Sequence, residues 1–307
     1  MRAIENQMKY GPRGNRISGD SEMITNPIFL VGTMRSGTTF FPRLLQLSSS
    51  NKIIPCGFEL TPAWVEVGGV PIAAPAVLGH NICPPLTALD KKTGQAERLR
   101  REFHRRMCSA IGSTKIGGRR FLNKNPHLCN KLPLVSALFP DAQFIWIRRH
   151  ILPVVASIKL LFEQTAKKEL FWHYWPEPHP TGARCWNGSR QNQIPKKVEK
   201  SRIFPGGAIK HLAEYWLENN EAVSAHLSSL SQKQWHAINH ENLISQPVKI
   251  LNDCHKFLNL PKTAFDAKPF LEDRNRVWGE RLTQQEKSEL TDFVVTHKDR
   301  IRLIFSK

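Results

Sequence analysis

Two glycines bracket four residues in Gly32-Thr33-Met34-Arg35-Ser36-Gly37-Thr38-Thr39, the stretch of this 307-residue chain with the most evident chemistry. Backbone N–H groups in such a turn converge on an anion, and a helix starting just after it adds a favourable dipole. Ser36, Thr38 and Thr39 can add hydroxyl donors. The spacing is that of a Walker A loop, but Thr38 stands where the Walker lysine belongs, and Arg35 lies inside the loop instead. No lysine is therefore placed to span the β- and γ-phosphates. The loop suits a terminal phosphate better than magnesium-assisted triphosphate chemistry. A glycine-rich turn with no ligand is the plainer reading, and the agreement of spacing, hydroxyls and arginine weighs against it.

A second anion-binding candidate follows the apolar run 142–148. Arg149 offers a forked guanidinium at a strand end, and Ser157, one or two turns into the next helix, can add a hydroxyl. Arg148 is its rival, because a slip of one residue exchanges the faces on which the two arginines lie.

Positioning these groups requires particular elements. Residues 27–32 form a short continuous apolar run that suits a buried parallel strand, and Phe40, Phe41, Leu44, Leu45 and Leu47 follow at helical spacing. Further strands are expected at 121–124, 142–148 and 234–239. Helices are expected over 97–111, 131–138, 152–162, 207–230, 248–258 and 283–304, with Pro153 in a first turn and Thr283 as an N-cap three residues before Glu286. Residues 51–85, rich in Pro and Gly, read as loops over one end of the sheet. Residues 165–205, with Trp172, Tyr174, Trp175 and Trp186, read as an ordered insertion or lid that either walls an acceptor pocket or forms a satellite apolar cluster. Alternating strands and helices predict an α/β fold: a central parallel sheet flanked by helices, residues 26–307 as one domain, and 1–25 as a polar leader.

Composition narrows the function. Lys+Arg number 44 against 26 Asp+Glu, a formal charge of +18, with much of the excess between residues 91 and 131. That run is either a solvated helix face or a positive field that gathers anionic ligands. Nucleic acid fits the sign of the charge, but no RNP-like aromatics, zinc-finger spacing or basic heptads accompany it, so nucleic acid is not expected. Six scattered cysteines without C-x-x-C spacing predict reduced thiols and no metal. No apolar membrane span or signal-peptide core is evident, which predicts a cytoplasmic protein.

Residues 27–39, Pro-Ile-Phe-Leu-Val-Gly-Thr-Met-Arg-Ser-Gly-Thr-Thr, resemble the 5′-phosphosulfate signature of sulfotransferases that use 3′-phosphoadenosine 5′-phosphosulfate (PAPS). The Arg-Ser-Gly-Thr-Thr core is similar to the bacterial and tyrosylprotein branch. Residues 144–157, from Phe144 through Arg149 to Ser157, resemble the family's strand–Arg–helix–Ser element for the nucleotide 3′-phosphate. The resemblance spans about residues 27–282 and implies a P-loop NTPase-like sheet, PAPS as co-substrate and no metal.

It also implies residue roles. Arg35 would serve the leaving-group side, with Ser36, Gly37, Thr38 and Thr39 around the 5′-phosphate and Arg149 with Ser157 at the 3′-phosphate. Lys124, in Asn123-Lys124-Asn125-Pro126, is similar to the family's Lys-x-Pro lysine and would contact the sulfuryl or bridging oxygen. Glu59 resembles the tyrosylprotein branch's general base; Glu66 lies nearby, and His80, His104 and His127 are alternative bases. Arg276 and Trp278 fall in a stretch resembling a phosphate- and adenine-contacting loop. His240 stands where the family usually has Tyr. The implied acceptor is a hydroxyl or amine on a small molecule, glycan or lipid-like metabolite, and the charge favours an anionic one. Two other readings compete: a P-loop kinase or NTPase, and a non-catalytic binder of nucleotide or polyanion. Acceptor identity and oligomeric state are not legible.

Overall fold

A computed structural model describes residues 23–57, 59–72 and 82–306. Residues 1–22 of the expected leader, and the candidate base His80, lie outside the described residues. Ile24 is buried, and its carbonyl accepts from Arg100 Nη1 at 2.9 Å, so residue 24 is packed into the fold.

The run Ile-Phe-Leu-Val forms β1 (Ile28–Val31), buried along its whole length. Phe29 and Val31 join one apolar cluster and Ile28 and Leu30 another, as the period of two demands of a strand covered on both faces. The other strands are β2 (Ile53–Pro55), β3 (Arg120–Lys124), β4 (Gln143–Arg148), an inserted trio β5 (Trp172–Tyr174), β6 (Asn187–Ser189) and β7 (Ile203–Phe204), and β8 (Trp235–Asn239). The main sheet runs β2-β3-β1-β4-β8, every pairing parallel. From β1 the chain continues to β2 on one side, and from β4 to β8 on the other. The gap between the carboxyl ends of β1 and β4 is thus the switch point where open α/β sheets place ligands.

The helices are α1 (Phe41–Ser48), α2 (Gln95–Ile111), α3 (Leu132–Leu138), α4 (Ile151–Lys167), α5 (Ile209–Ser228), α6 (His240–Ser245), α7 (Pro247–Phe257), α8 (Gln284–Thr296) and α9 (Lys298–Phe305). Leu44 and Leu45 of α1 and Leu251 and Cys254 of α7 cover one sheet face. Phe103 of α2, Val135 of α3, Val154 of α4 and Trp216 of α5 cover the other. On α2 several of the basic residues are neutralised locally: Glu102 pairs with both Arg105 and Arg106 at 2.7 Å, and Glu97 with Arg101 at 2.5 Å.

Three expectations need correction. Residues 51–85 are not all loop, because they contribute the edge strand β2 and a single π-helical turn at Ala63–Val67. Three residues ending in proline carry too little periodicity to be read as a strand. Helix α4 continues to Lys167, so the insertion starts after it rather than at 165. The C-terminal helix is two, separated at His297, although Thr283 caps α8 as expected in a reciprocal box with Glu286.

The insertion is an antiparallel sheet of order β6-β5-β7. Trp175 and Trp186 set their rings edge-on to Tyr215 of α5, at 5.8 and 5.0 Å between centroids. Both belong to the main core rather than to a satellite cluster.

Gly32 shows how tightly the glycine turn is pressed onto the sheet. Its φ is +151°, and a Cβ there would sit 2.4 Å from the Ile147 carbonyl oxygen of β4. Gly32→Ala is expected to cost about 2–3 kcal/mol, read as a lower urea midpoint at unchanged slope.

Candidate active site

Every charged group singled out above as catalytic, and the loop itself, collects at the carboxyl edge of the main sheet. The glycine turn leaves β1, Glu59 follows β2, Lys124 ends β3 and Arg149 follows β4. Parallel pairing puts those ends side by side: Leu30 is in register with Lys124, and Val31 with Trp146.

The loop is held from three directions. Thr33 and Ser36 hydroxyls bond each other at 2.8 Å, and Ser36 N–H donates to the Thr33 carbonyl at 3.2 Å. Met34 N–H donates to the Tyr215 hydroxyl at 2.9 Å, tying the loop to α5. Arg35 has a positive φ of 67°, a conformation costly for a side-chain-bearing residue. Its Nε donates to Ser157 Oγ on α4 at 2.9 Å, and its carbonyl accepts from Arg149 Nη1 at 2.9 Å. Arg149 Nε donates in turn to Asn275 Oδ1 at 2.8 Å.

The register question between the two arginines has a clear geometric outcome. Arg148 points away from the loop: its Nη1 donates to the Ile304 carbonyl at 2.7 Å, and its guanidinium lies over the Trp146 and Phe305 rings at 5.1 and 5.7 Å. Arg149 is the one gathered with Arg35 and Ser157.

Positive charge is crowded here. Partial burial, then the charges of Arg281 and Arg274, lower the Arg35 pKa. Burial lowers Arg149 to about 10, with Glu241 opposing and Arg35 and Arg281 adding to the shift. Arg35, Arg149, Arg274 and Arg281 stand against the carboxylates of Glu241, Asp273 and Glu272, the last paired with Arg274 at 2.6 Å, and the surplus of positive charge suits an anion.

On the other side of the loop, Lys124 Nζ donates to Glu59 Oε1 at 3.0 Å, and His127 Nε2 stands 3.8 Å from Glu59 Oε2. Asn125 Nδ2 donates to the Glu59 carbonyl at 3.0 Å, and Trp64 Nε1 donates to Asn123 Oδ1 at 3.0 Å, so the segment 123–125 fixes both backbone and side chain. Burial alone would push the Glu59 carboxyl up, but Lys124 and His127 hold it below the usual carboxylate range. The group is ionised at neutral pH and can accept a proton. Glu66 is exposed in the π-helical turn, and His104 lies on α2 beside Cys108.

Ser36 and Thr38 are buried while Thr39 is exposed. Arg276 stands on the surface beside Asp273 at 3.5 Å, with 89% of its side chain exposed, and Trp278 is half-buried against the core. The residue of that stretch which reaches Arg149 is Asn275. Neither Asn275 nor Tyr215 had a motif to announce it; Tyr215 was visible only as part of a helical apolar pattern.

His240 closes the floor of the turn. A Cβ on Gly37, whose φ is +98°, would lie 2.8 Å from His240 Cδ2. Burial, then the charge of Arg149, lowers the His240 pKa to about 4, so the ring is neutral near pH 7. Burial likewise takes His173 of β5 to about 3. A histidine depressed in the folded state binds fewer protons than in the unfolded chain between the two pKa values, so stability rises with pH across that window and falls as pH drops below about 6.5. Acidification from pH 7 to 5 is expected to remove on the order of 1–2 kcal/mol per such histidine. Urea unfolding at both pH values should show His240→Gln losing its share of that dependence.

The comparisons with known proteins bear on the family and the fold. The model of the sulfotransferase family matches residues 27–204, more than half of the chain and including the glycine turn, Glu59, Lys124, Arg149 and Ser157. Among solved structures, a sulfotransferase from Alicyclobacillus acidocaldarius is similar at 16% identity with a TM-score of 0.53, covering 92% of this chain and 97% of that one. Sulfotransferase STF1 from Mycobacterium tuberculosis H37Rv matches at 17% identity and a TM-score of 0.45, covering 94% and 78%. Mouse sulfotransferase SULT7A1, complexed with PAP, matches at 13% and 0.42, covering 91% and 88%. At these identities the Alicyclobacillus likeness speaks for the fold alone. Comparison with curated protein sequences finds no match. With a glycine turn at the switch point of a parallel sheet and a family match over most of the residues that build the site, the chain belongs to the sulfotransferase family.

Proposed function

We propose that this sulfotransferase takes PAPS as its donor and transfers the sulfuryl group to a hydroxyl (or amine) acceptor, with Glu59 as the general base. The observation that carries the reading is the clasp of Arg35 with Arg149 and Ser157 beside Arg274 and Arg281. It gathers surplus positive charge at the switch point, which suits a donor phosphorylated at two ends.

Two further features fit such a donor. Gly32 and Gly37 let the turn press against Ile147 and His240, which lays its backbone across the strand ends at the switch point. His240 Nδ1 is buried and has no hydrogen-bond partner among the described residues, which leaves a polar atom beside the turn ready for one. PAPS, when bound, supplies an SO₃ group on a phosphate leaving oxygen.

The chain's own contributions follow from placement and charge. The turn and Arg35 hold the 5′-phosphate and balance the charge that grows on it as the S–O bond breaks. Arg149 and Ser157 hold the 3′-phosphate and thereby set the donor's orientation. Lys124 keeps Glu59 ionised and offers its ammonium to the sulfuryl oxygens. Glu59 takes the acceptor's proton as the new S–O bond forms. The acceptor side is bounded by His127 and Trp186, whose rings lie 4.1 Å apart between centroids. Among the described residues no helix is long and apolar enough to cross a membrane. The six buried, unbridged cysteines fit a reducing cytoplasm.

Arg149→Lys retains charge but cannot reproduce the fork, so affinity for adenosine 3′,5′-bisphosphate is expected to fall about 10- to 100-fold by calorimetry. Arg148→Lys should leave that affinity within about twofold and lower the melting temperature instead, because its contacts are to Ile304 and two rings. Tighter binding of ATP with magnesium than of the bisphosphate would favour an NTPase instead. Glu59→Gln is expected to lower kcat about 10²- to 10⁴-fold while bisphosphate affinity is retained. Unchanged turnover with a panel of alcohols, phenols and glycans would remove Glu59 from its role.

A further inference from the structure

Three residues far apart in sequence meet behind the Glu59–Lys124 pair. Cys83, His127 and Cys185 are all buried and bring Sγ, Nδ1 and Sγ within 4.8 Å of one another. His127 Nδ1 lies 3.2 Å from Cys185 Sγ and 3.6 Å from Cys83 Sγ. With Zn–S near 2.3 Å and Zn–N near 2.0–2.1 Å, a nitrogen and a sulfur on one tetrahedral zinc stand about 3.5 Å apart. The two separations bracket that figure.

Two neighbours reinforce the pattern. Lys131 is fully buried, and its ammonium donates to Cys83 Sγ at 3.2 Å, the His127 carbonyl at 3.2 Å and Asn130 Oδ1 at 2.8 Å. Of those acceptors only the sulfur can carry negative charge, and a buried ammonium needs an anionic neighbour. A thiolate held ionised by a metal supplies it, and N–H···S donation from outside the ligand set is a usual way to tune such a sulfur. The other ring nitrogen of His127 faces Glu59 at 3.8 Å. Metal-binding histidines regularly turn their second nitrogen to a carboxylate, which fixes the tautomer.

We propose that Cys83, His127 and Cys185 bind one zinc ion, with Lys131 bonding the Cys83 sulfur from outside and Glu59 facing the free ring nitrogen. Zinc takes the place of the thiol protons, which pass to solvent. The two thiolates and a small anionic fourth ligand together balance the ion and the Lys131 ammonium. The ion ties together the segment before α2, the connection from β3 to α3 and the insertion. It also holds the Nε2 proton of His127 toward Glu59. The assignment does not depend on the donor or on the general base.

The experiment is metal analysis of the full chain purified with zinc present and then dialysed against metal-free buffer. About one zinc per chain is expected for the wild type and for Cys108→Ser, whose sulfur lies beside His104 on α2 and outside the cluster. Less than about a tenth is expected for the Cys83→Ser/Cys185→Ser double variant. Replacement by cobalt should give a thiolate-to-metal charge-transfer band that the double variant lacks. Because the wild type is read directly, a variant that fails to fold does not rescue the assignment. Folded wild type without zinc that takes up none on titration, zinc retained by the double variant, or a Cys83–Cys185 disulfide found by mass spectrometry under non-reducing conditions would each overturn it.

Discussion

Arg35 is held at both ends: its side chain donates to Ser157 of α4, while its carbonyl accepts from Arg149 at the end of β4. This clasp constrains the rest of the site. It keeps a non-glycine residue at positive φ, a conformation that must be supported by its surroundings. It also forces two guanidiniums into proximity, and Arg281 and Arg274 add to the repulsion. A fold that concentrates like charge at one place gives up stability there, and an anionic ligand recovers it on binding.

The sheet makes that concentration possible. Parallel strands all end on the same edge, so loops from β1, β2, β3 and β4 deliver an anion turn, a carboxylate, an ammonium and a guanidinium to one side without long excursions. Gly32 lies against Ile147 and Gly37 against His240, which holds the turn down on the strand ends. Substituting His for the Tyr usual in the family retains an aromatic floor, and burial keeps it uncharged next to Arg149.

Glu59 and Lys124 show the complementary economy. Neither group is well hydrated, and each reduces the desolvation cost of the other. Asn123, Lys124 and Asn125 are all engaged in fixing this pair or its neighbours, so one short segment sets the geometry around Glu59. Trp186 reaches His127 from the insertion, which thereby packs against the segment following Lys124 as well as into the core.

The sequence by itself determined the features that short-range rules control. The glycine turn, the buried strands at 27–32 and 142–148, the Thr283–Glu286 cap and the strand–helix unit carrying the Arg148–Arg149 pair and Ser157 all depend on neighbours a few residues away, whose spacing is visible in a linear chain. The resemblance of two signatures then named the family. Tertiary structure alone decided which arginine faces the turn, because Arg148 is drawn to Ile304 at the far end of the chain. It alone brought Asn275 to Arg149, Tyr215 to Met34, and Cys83 with Cys185 to His127, contacts between segments separated by 44 to 181 positions. No local pattern encodes such meetings. They follow from how helices and loops pack once the sheet has formed, and a side chain recruited in this way needs only the right chemistry at one position, with no repeating neighbours to mark it.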